Sequence, residues 1–217
     1  MKFAIDYYKT LIFDCDGVVL SSNQVKTDAF YQAALPYGEA AAKALVNYHV
    51  SNGGISRYKK FAYFVDHLVP SKSGPGLDKL LERYASQVRE GLMGCEVASG
   101  LQALRESTTQ ARWLIVSGGD QTELRDVFSQ RGIAGLFDGG IFGSPDSKDV
   151  ILKRELDSGN IQQPALFLGD SKYDHQAAST AGLDFVFMSD WTEVSDWQHW
   201  VTSQKINVKQ NIAALME

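Results

Sequence analysis

An open parallel α/β sheet carrying an all-helical insertion is the fold this sequence predicts, on three observations. A buried β run, Thr10-Leu11-Ile12-Phe13, ends on Asp14 and Asp16 with Gly17 directly behind them. Residues 20–95 then read as helix only, with no convincing strand. From about Ala98 onward, helices alternate with short apolar runs, the pattern of parallel strands joined by crossover helices.

Each element has its own signal. Core strands rarely tolerate carboxylates, because burying an unpaired charge costs several kcal/mol, so Asp14 and Asp16 mark a strand end that faces something. Val25, Ala29 and Ala33, with Phe30 and Ala34 beside them, predict a first helix stopped at Pro36-Tyr37-Gly38. A second helix is expected from about Glu39 to Val50, broken by Asn52-Gly53-Gly54. A third, from about Ser56 to Leu68, is expected to bury Tyr58, Phe61, Ala62, Val65 and Leu68, and a fourth carries Leu77, Leu81, Tyr84 and Val88. The expected division is a three-layer, Rossmann-like core of residues 1–19 and 96–217, and an α-helical cap of residues 20–95 inserted after the first strand.

In the second half, strands are expected at Arg112–Val116, Gly140–Gly143, Ala165–Leu168 and Leu183–Met188. Asp120 is placed to cap a helix that buries Leu124, Val127 and Phe128, and Asp174 to open another containing Ala177, Ala178 and Ala181. The last 25 or so residues, with Trp191, Trp197 and Trp200, read as a helix and tail against the domain edge. Open parallel sheets bind ligands beyond the carboxyl ends of their strands. Asp14 and Asp16, Ser117, Lys148, and Asp170 with Asp174 all follow such ends, so they are expected to converge in space.

The totals narrow the function. The chain has 217 residues, 44% hydrophobic and 22% charged, as in ordinary globular proteins. A formal net charge of −5 argues against a general nucleic-acid binder, which needs clustered Lys and Arg. Two cysteines, Cys15 and Cys95, give no disulfide framework, and neither a signal peptide nor a membrane-spanning run is evident, so the expected compartment is the cytoplasm. Two aspartates at one turn suit Mg²⁺, which takes a few carboxylates and completes its shell with waters and substrate phosphate.

The segment DCDGVV resembles the nucleophile motif of the haloacid dehalogenase superfamily, whose members are mostly phosphatases. Ser117, ending LIVS before Gly118-Gly119, resembles the second motif, Lys148 the third and GDSKYD the fourth, acidic one, so the resemblance covers essentially the whole chain. It implies the α-helical cap between motifs one and two. It further implies that Mg²⁺ is held by Asp14, by the backbone carbonyl of Asp16 and by Asp170.

The chemistry of the residues agrees. Asp14, in line with phosphorus, can form an acyl phosphate and divide a hard hydrolysis into two steps. Asp16 can protonate the leaving oxygen and then deprotonate water. Ser117, the amide of Gly118 and the charge of Lys148 are candidates to surround the phosphoryl oxygens. Asp174 has several readings: metal ligand, direct or through water; holder of Lys148; or helix cap. Cys15 between the aspartates is read as packing rather than as a thiol nucleophile, and His49, His67, His175 and His199 as surface or cap residues.

Specificity is expected from the cap. Gly53-Gly54-Ile55-Ser56-Arg57 resembles the cap loop of β-phosphoglucomutases, which makes Arg57 a candidate for gripping a second anionic or hydroxyl-rich group, with Lys26 and Asn23 facing the same cleft. Those mutases carry a histidine where Lys26 stands and a lysine where Gly53 stands, which favours hydrolysis over isomerisation. Asp16 argues against dehalogenation, and Lys26 leaves a phosphonatase-type Schiff base open. The expected activity is Mg²⁺-dependent hydrolysis of a small phosphorylated metabolite, a sugar phosphate ahead of phosphoglycolate, by a monomer or weak homodimer. A phosphomutase and a catalytically silent binding module are the alternatives.

Overall fold

The computed structural model describes residues 4–71 and 73–217. Six strands form one parallel sheet in the order β3-β2-β1-β4-β5-β6: β1 (Thr10–Phe13), β2 (Arg112–Asp120), β3 (Gly140–Ser144), β4 (Ala165–Gly169), β5 (Asp184–Met188) and β6 (Asn207–Lys209). Helices α5 (Leu101–Ser107), α6 (Gln121–Gln130), α7 (Lys148–Asp157), α8 (Lys172–Thr180) and α9 (Trp197–Gln204) accompany the sheet. The central strand is covered on both faces, which explains its unbroken apolar run. Leu11 and Phe13 join one core cluster and Ile12 the other, as the two-residue period of a strand requires.

Between β1 and β2 the chain forms α1 (Asn23–Ala34), α2 (Glu39–Ser51), α3 (Arg57–Tyr63), which runs on into a π-helical turn at Phe64–Leu68, and α4 (Leu77–Gly94). No strand is found among these four helices in the described residues. The chain enters and leaves the segment side by side: Ser21 N–H donates to the Glu96 carbonyl and Ala98 N–H to the Val19 carbonyl, each at 2.9 Å. Two paired strands of backbone thus connect the helices to the sheet.

Four expectations are corrected. Along α3 the buried face is Arg57, Lys60, Phe61 and Phe64, while Tyr58 is exposed and Ala62, Val65 and Leu68 are half-buried. In α4 the face is Leu80, Tyr84, Val88 and Leu92, which includes the expected Tyr84 and Val88, while Leu77 is exposed and Leu81 half-buried. The tail contains a short edge strand, β6, beyond α9. Asp174 does not open α8: Ser171 is the N-cap and Asp174, in the first turn, returns the bond in a capping box.

Strand order reverses on either side of β1, between β2 and β4, and open sheets bind ligands at such a switch point. The residues following these three strands therefore meet at one edge.

Candidate active site

Asp14 follows β1 directly, and its N–H still pairs with the Leu168 carbonyl at 2.9 Å, which fixes the carboxylate at the sheet's edge. The Cys15 N–H donates to Asp14 Oδ1 (2.7 Å), and Lys148 Nζ lies 2.8 Å from Oδ2. Only 3% of Asp14 is exposed. Burial pushes its carboxyl up to about 7; the Lys148 charge opposes the shift, and Asp174 and Asp16 add to it.

Lys148 begins α7 and is buried between Asp14 and Asp174, bonding to both carboxylates. Burial disfavours its charge, but the two acids outweigh burial and keep it protonated. Asp174 Oδ1 accepts from Lys148, while Oδ2 accepts from the Ser171 N–H (3.1 Å) and hydroxyl (2.7 Å). Asp174 thus holds Lys148 and stabilises the start of α8.

Asp170 follows β4. Its Oδ2 accepts from Asn23 Nδ2 at 2.7 Å, and the same amide donates to the Trp191 carbonyl at 2.8 Å. Burial, reinforced by Asp14 and Asp174, pushes Asp170 well above the usual carboxylate range. Gly17 makes this approach possible: it has φ +74°, and a Cβ there would lie 2.1 Å from Asp170 Oδ2. One carboxylate oxygen each from Asp14, Asp170 and Asp174 falls within 4.8 Å of the others. Three hard oxygen donors, two with carboxyls pushed up by burial and by one another, fit a divalent cation of the Mg²⁺ type.

The Asp16 side chain turns the other way. Its Oδ1 accepts from the Ser22 hydroxyl (2.6 Å) and its Oδ2 bonds to Lys26. Burial acts to raise the Asp16 carboxyl, but the Lys26 charge and these bonds hold it below its ordinary value. Asp16 is therefore an ionised carboxylate that accepts from Lys26. Cys15 is fully buried in the core, as packing requires.

Ser117 is fully buried within β2, and its Oγ accepts from the Gly119 N–H at 3.0 Å. Gly118 is where the helical segment touches the sheet edge: a Cβ there would stand 2.2 Å from the Gly54 carbonyl oxygen. Arg57 reaches across the same boundary, but to Glu123 of α6, bonding with both guanidinium nitrogens and lying 4.6 Å from the Tyr84 ring centre. Tyr58 likewise donates to Asp120 at 2.7 Å.

A cavity of about 60 Å³ lies between the two parts, bordered by Asp14, Asp16, Asn23, Lys26, Arg57 and Gly118 among others. Ser117 and Lys148 do not border it; Lys148 fronts an adjacent cavity with Gly118 and Tyr173. Four residues on or beside the cavity escaped sequence reasoning as site residues: His49, Lys60, Tyr84 and Glu193. A helical reading from Arg57 would have found Lys60, three residues on along the same face. Glu193, in the loop after β5, has no such signal.

The family model described as haloacid dehalogenase-like hydrolase matches residues 8–182. No match was found among curated proteins. Solved structures share the fold over nearly the whole chain. A predicted phosphoglycolate phosphatase of Haemophilus somnus is 16% identical with a TM-score of 0.77, covering 98% of each chain. CbbY of Rhodobacter sphaeroides, in complex with phosphate, is 16% identical with a TM-score of 0.69, covering 96% of each. A phosphonoacetaldehyde hydrolase-like protein of Oleispira antarctica is 12% identical with a TM-score of 0.69, covering 96% of this chain and 90% of its own. With the family match spanning most of the chain, and its polar motifs gathered at the ends of β1, β2 and β4, this protein belongs to the haloacid dehalogenase-like hydrolase family.

Proposed function

We propose that the protein is a Mg²⁺-dependent phosphatase acting on a small phosphorylated metabolite, with Asp14 as the nucleophile. The observation that carries this reading is the setting of Asp14: buried at the switch point, 2.8 Å from Lys148 and within 4.8 Å of the acidic cluster. A carboxylate held there by a cation is oriented, not free to rotate, which is what in-line attack on phosphorus needs.

In the first step an Asp14 oxygen bonds to phosphorus and the bond to the ester oxygen breaks. The departing oxygen takes a proton that Lys26 delivers through the Asp16 carboxylate, giving an alcohol, an aspartyl phosphate and a neutral Lys26 amine. In the second step water passes a proton back through Asp16 to the Lys26 amine as its oxygen bonds to phosphorus, the Asp14–phosphorus linkage breaks and inorganic phosphate leaves. Lys148 and the Gly118 amide, with Ser117 supporting that loop, stabilise charge on the phosphoryl oxygens. Asp14, Asp170 and the Asp16 carbonyl would hold Mg²⁺, which supplies neutralisation of the phosphoryl group's negative charge.

Helices α1–α4 act as the cap. With Asp14 only 3% exposed, substrate reaches it after the contacts of Arg57, Tyr58 and Gly54 with the sheet edge have parted. Two members of the fold, CbbY with xylulose 1,5-bisphosphate and the predicted phosphoglycolate phosphatase, agree with a small phosphorylated substrate. The test is phosphate release from a panel of phosphometabolites with Mg²⁺, with EDTA and Asp14→Asn as controls. Release that both controls abolish supports the reading; isomerised sugar phosphates without phosphate release would replace it by a phosphomutase.

A further inference from the structure

The cap contributes one side chain whose polar edge is buried with no protein partner. His49, near the end of α2, is 8% exposed, and its Nε2 has no hydrogen-bond partner among the described residues. Its other nitrogen, Nδ1, lies 2.6 Å from Lys60 Nζ, which also reaches the His49 carbonyl at 3.4 Å. Burial pushes Lys60 down to about 7, and in its ammonium form it can only donate, so Nδ1 then accepts and the single proton of a neutral imidazole sits on Nε2. Burial, with the Lys60 charge beside it, pushes His49 down to about 2, so the ring is neutral. His49 therefore presents an N–H donor that nothing among the described residues accepts.

Across the cleft stands Glu193, from the core. Its Oε1 accepts from the Thr27 hydroxyl at 2.8 Å, and its Oε2 lies 4.0 Å from His49 Nε2. That distance is too long for a hydrogen bond, and a neutral ring makes no ion pair. It fits one intervening oxygen: an atom about 2.8 Å from each would see the two at roughly 90°, within reach of a hydroxyl that accepts from one and donates to the other. Both residues border the cavity.

Among the described residues, two of the three cations bordering the cavity have carboxylate partners. Lys26 is paired with Asp16 and Arg57 with Glu123, and His49 joins the Lys60 ammonium to the neighbourhood of the Glu193 carboxylate. An anionic group placed on His49 Nε2 would stand beside the Glu193 carboxylate, whereas a neutral hydroxyl there satisfies donor and acceptor together.

We propose that His49 Nε2 and Glu193 form a hydroxyl-recognition subsite, bridged by an alcohol group of the phosphorylated substrate, with Lys60 fixing the tautomer of His49. This rests on the phosphatase reading for its phosphoryl anchor and narrows the substrate to a hydroxylated phosphomonoester. One donor comes from the cap and one acceptor from the core, so the same hydroxyl ties the cap shut over the nucleophile. Arg57, expected to select the substrate, instead joins cap to core through Glu123.

The test measures binding to the Asp14→Asn protein with Mg²⁺ by calorimetry, so that no turnover is needed. The probes are three- to six-carbon polyol and sugar phosphates, each paired with its deoxy counterpart, and phosphoglycolate. At least one hydroxylated probe is expected to bind about tenfold or more tightly than its deoxy partner, as expected for a site built to hydrogen-bond a hydroxyl. Glu193→Ala, at a partly exposed position, and His49→Phe, checked for folding by its melting transition, are each expected to bring that ratio within about threefold. A ratio near one in every pair, a ratio that neither variant moves, or tighter binding of phosphoglycolate than of every hydroxylated probe overturns the subsite. Release of p-nitrophenol from p-nitrophenyl phosphate by the unmodified protein judges the phosphatase reading separately. Its failure together with an intact binding ratio would leave the subsite standing and remove the reaction.

Discussion

Asp14→Asn should stabilise the metal-free protein at pH 8 and do so less and less as the pH falls. The wild-type carboxyl has a folded-state pKa near 7, raised mainly by burial, against about 3.9 in an unfolded chain. Between those values the folded state binds the proton more tightly than the unfolded state does. Stability contributed by this group is thus present at low pH and lost as pH rises from about 4 to 7. Three units at about 1.4 kcal/mol each amount to roughly 4 kcal/mol, an order-of-magnitude figure. Asparagine has no such proton to lose. His49, whose pKa is pushed the opposite way by burial, gives the wild type a slope of opposite sign below pH 6.5, so the informative quantity is the difference between the two proteins. Urea unfolding in EDTA from pH 4.5 to 8 should show the variant gaining on the wild type throughout this range and levelling above about pH 7. Saturating Mg²⁺ at pH 8 should then raise the wild type more than the variant, because the ion binds the folded carboxylate. A difference that is flat with pH, or that favours the wild type more strongly as pH rises, would refute the argument that Asp14 is a destabilised, functionally poised acid.

Lys148→Met removes the cation between two buried carboxylates; it should abolish phosphate release and cost about 3–5 kcal/mol in urea unfolding at pH 7.5, the range for breaking a buried ion pair from one side. Arg57→Ala leaves Glu123 unpaired at a boundary where both side chains are largely buried, so its melting temperature should fall. A double-mutant cycle with Glu123→Ala should recover most of the loss, and independent effects would show that the pair does not join cap to core. Gly118→Ala places a Cβ 2.2 Å from the Gly54 carbonyl, which should hold the cap partly open: phosphate release should fall about tenfold or more for an overpacking cost of about 1–3 kcal/mol. Limited proteolysis of the cap loops should quicken in that variant, and unchanged cleavage with full activity would contradict the contact.

What the sequence made legible, and what it hid, follows from how each residue type is used. A parallel sheet gathers the ends of its strands at one edge, so an apolar run followed by Asp14, by Ser117 or by Asp170 announces both the strand and the site. The family match agrees with the fold read this way. The inward face of helices α1–α4 is less legible because apolar residues do not fill it alone. Arg57 and Lys60 occupy inward positions of α3 alongside Phe61 and Phe64, since that face borders a polar cavity as well as a core. Apolar periodicity alone therefore favoured Tyr58, which lies outside. The edge strand β6, with only Val208 apolar among its three residues, carries too little pattern to register. Glu193 belongs to no periodic element, and only the closed chain brings it opposite His49. A core helix that breaks its binary pattern ordinarily loses stability. When Lys60 and Arg57 do so in the cap, each break is matched by a partner, His49 in one case and Glu123 in the other. Among the buried side-chain polar atoms of the described residues, His49 Nε2 alone is left unmatched, and that asymmetry is the reason to look for the substrate's hydroxyl there, not at Arg57.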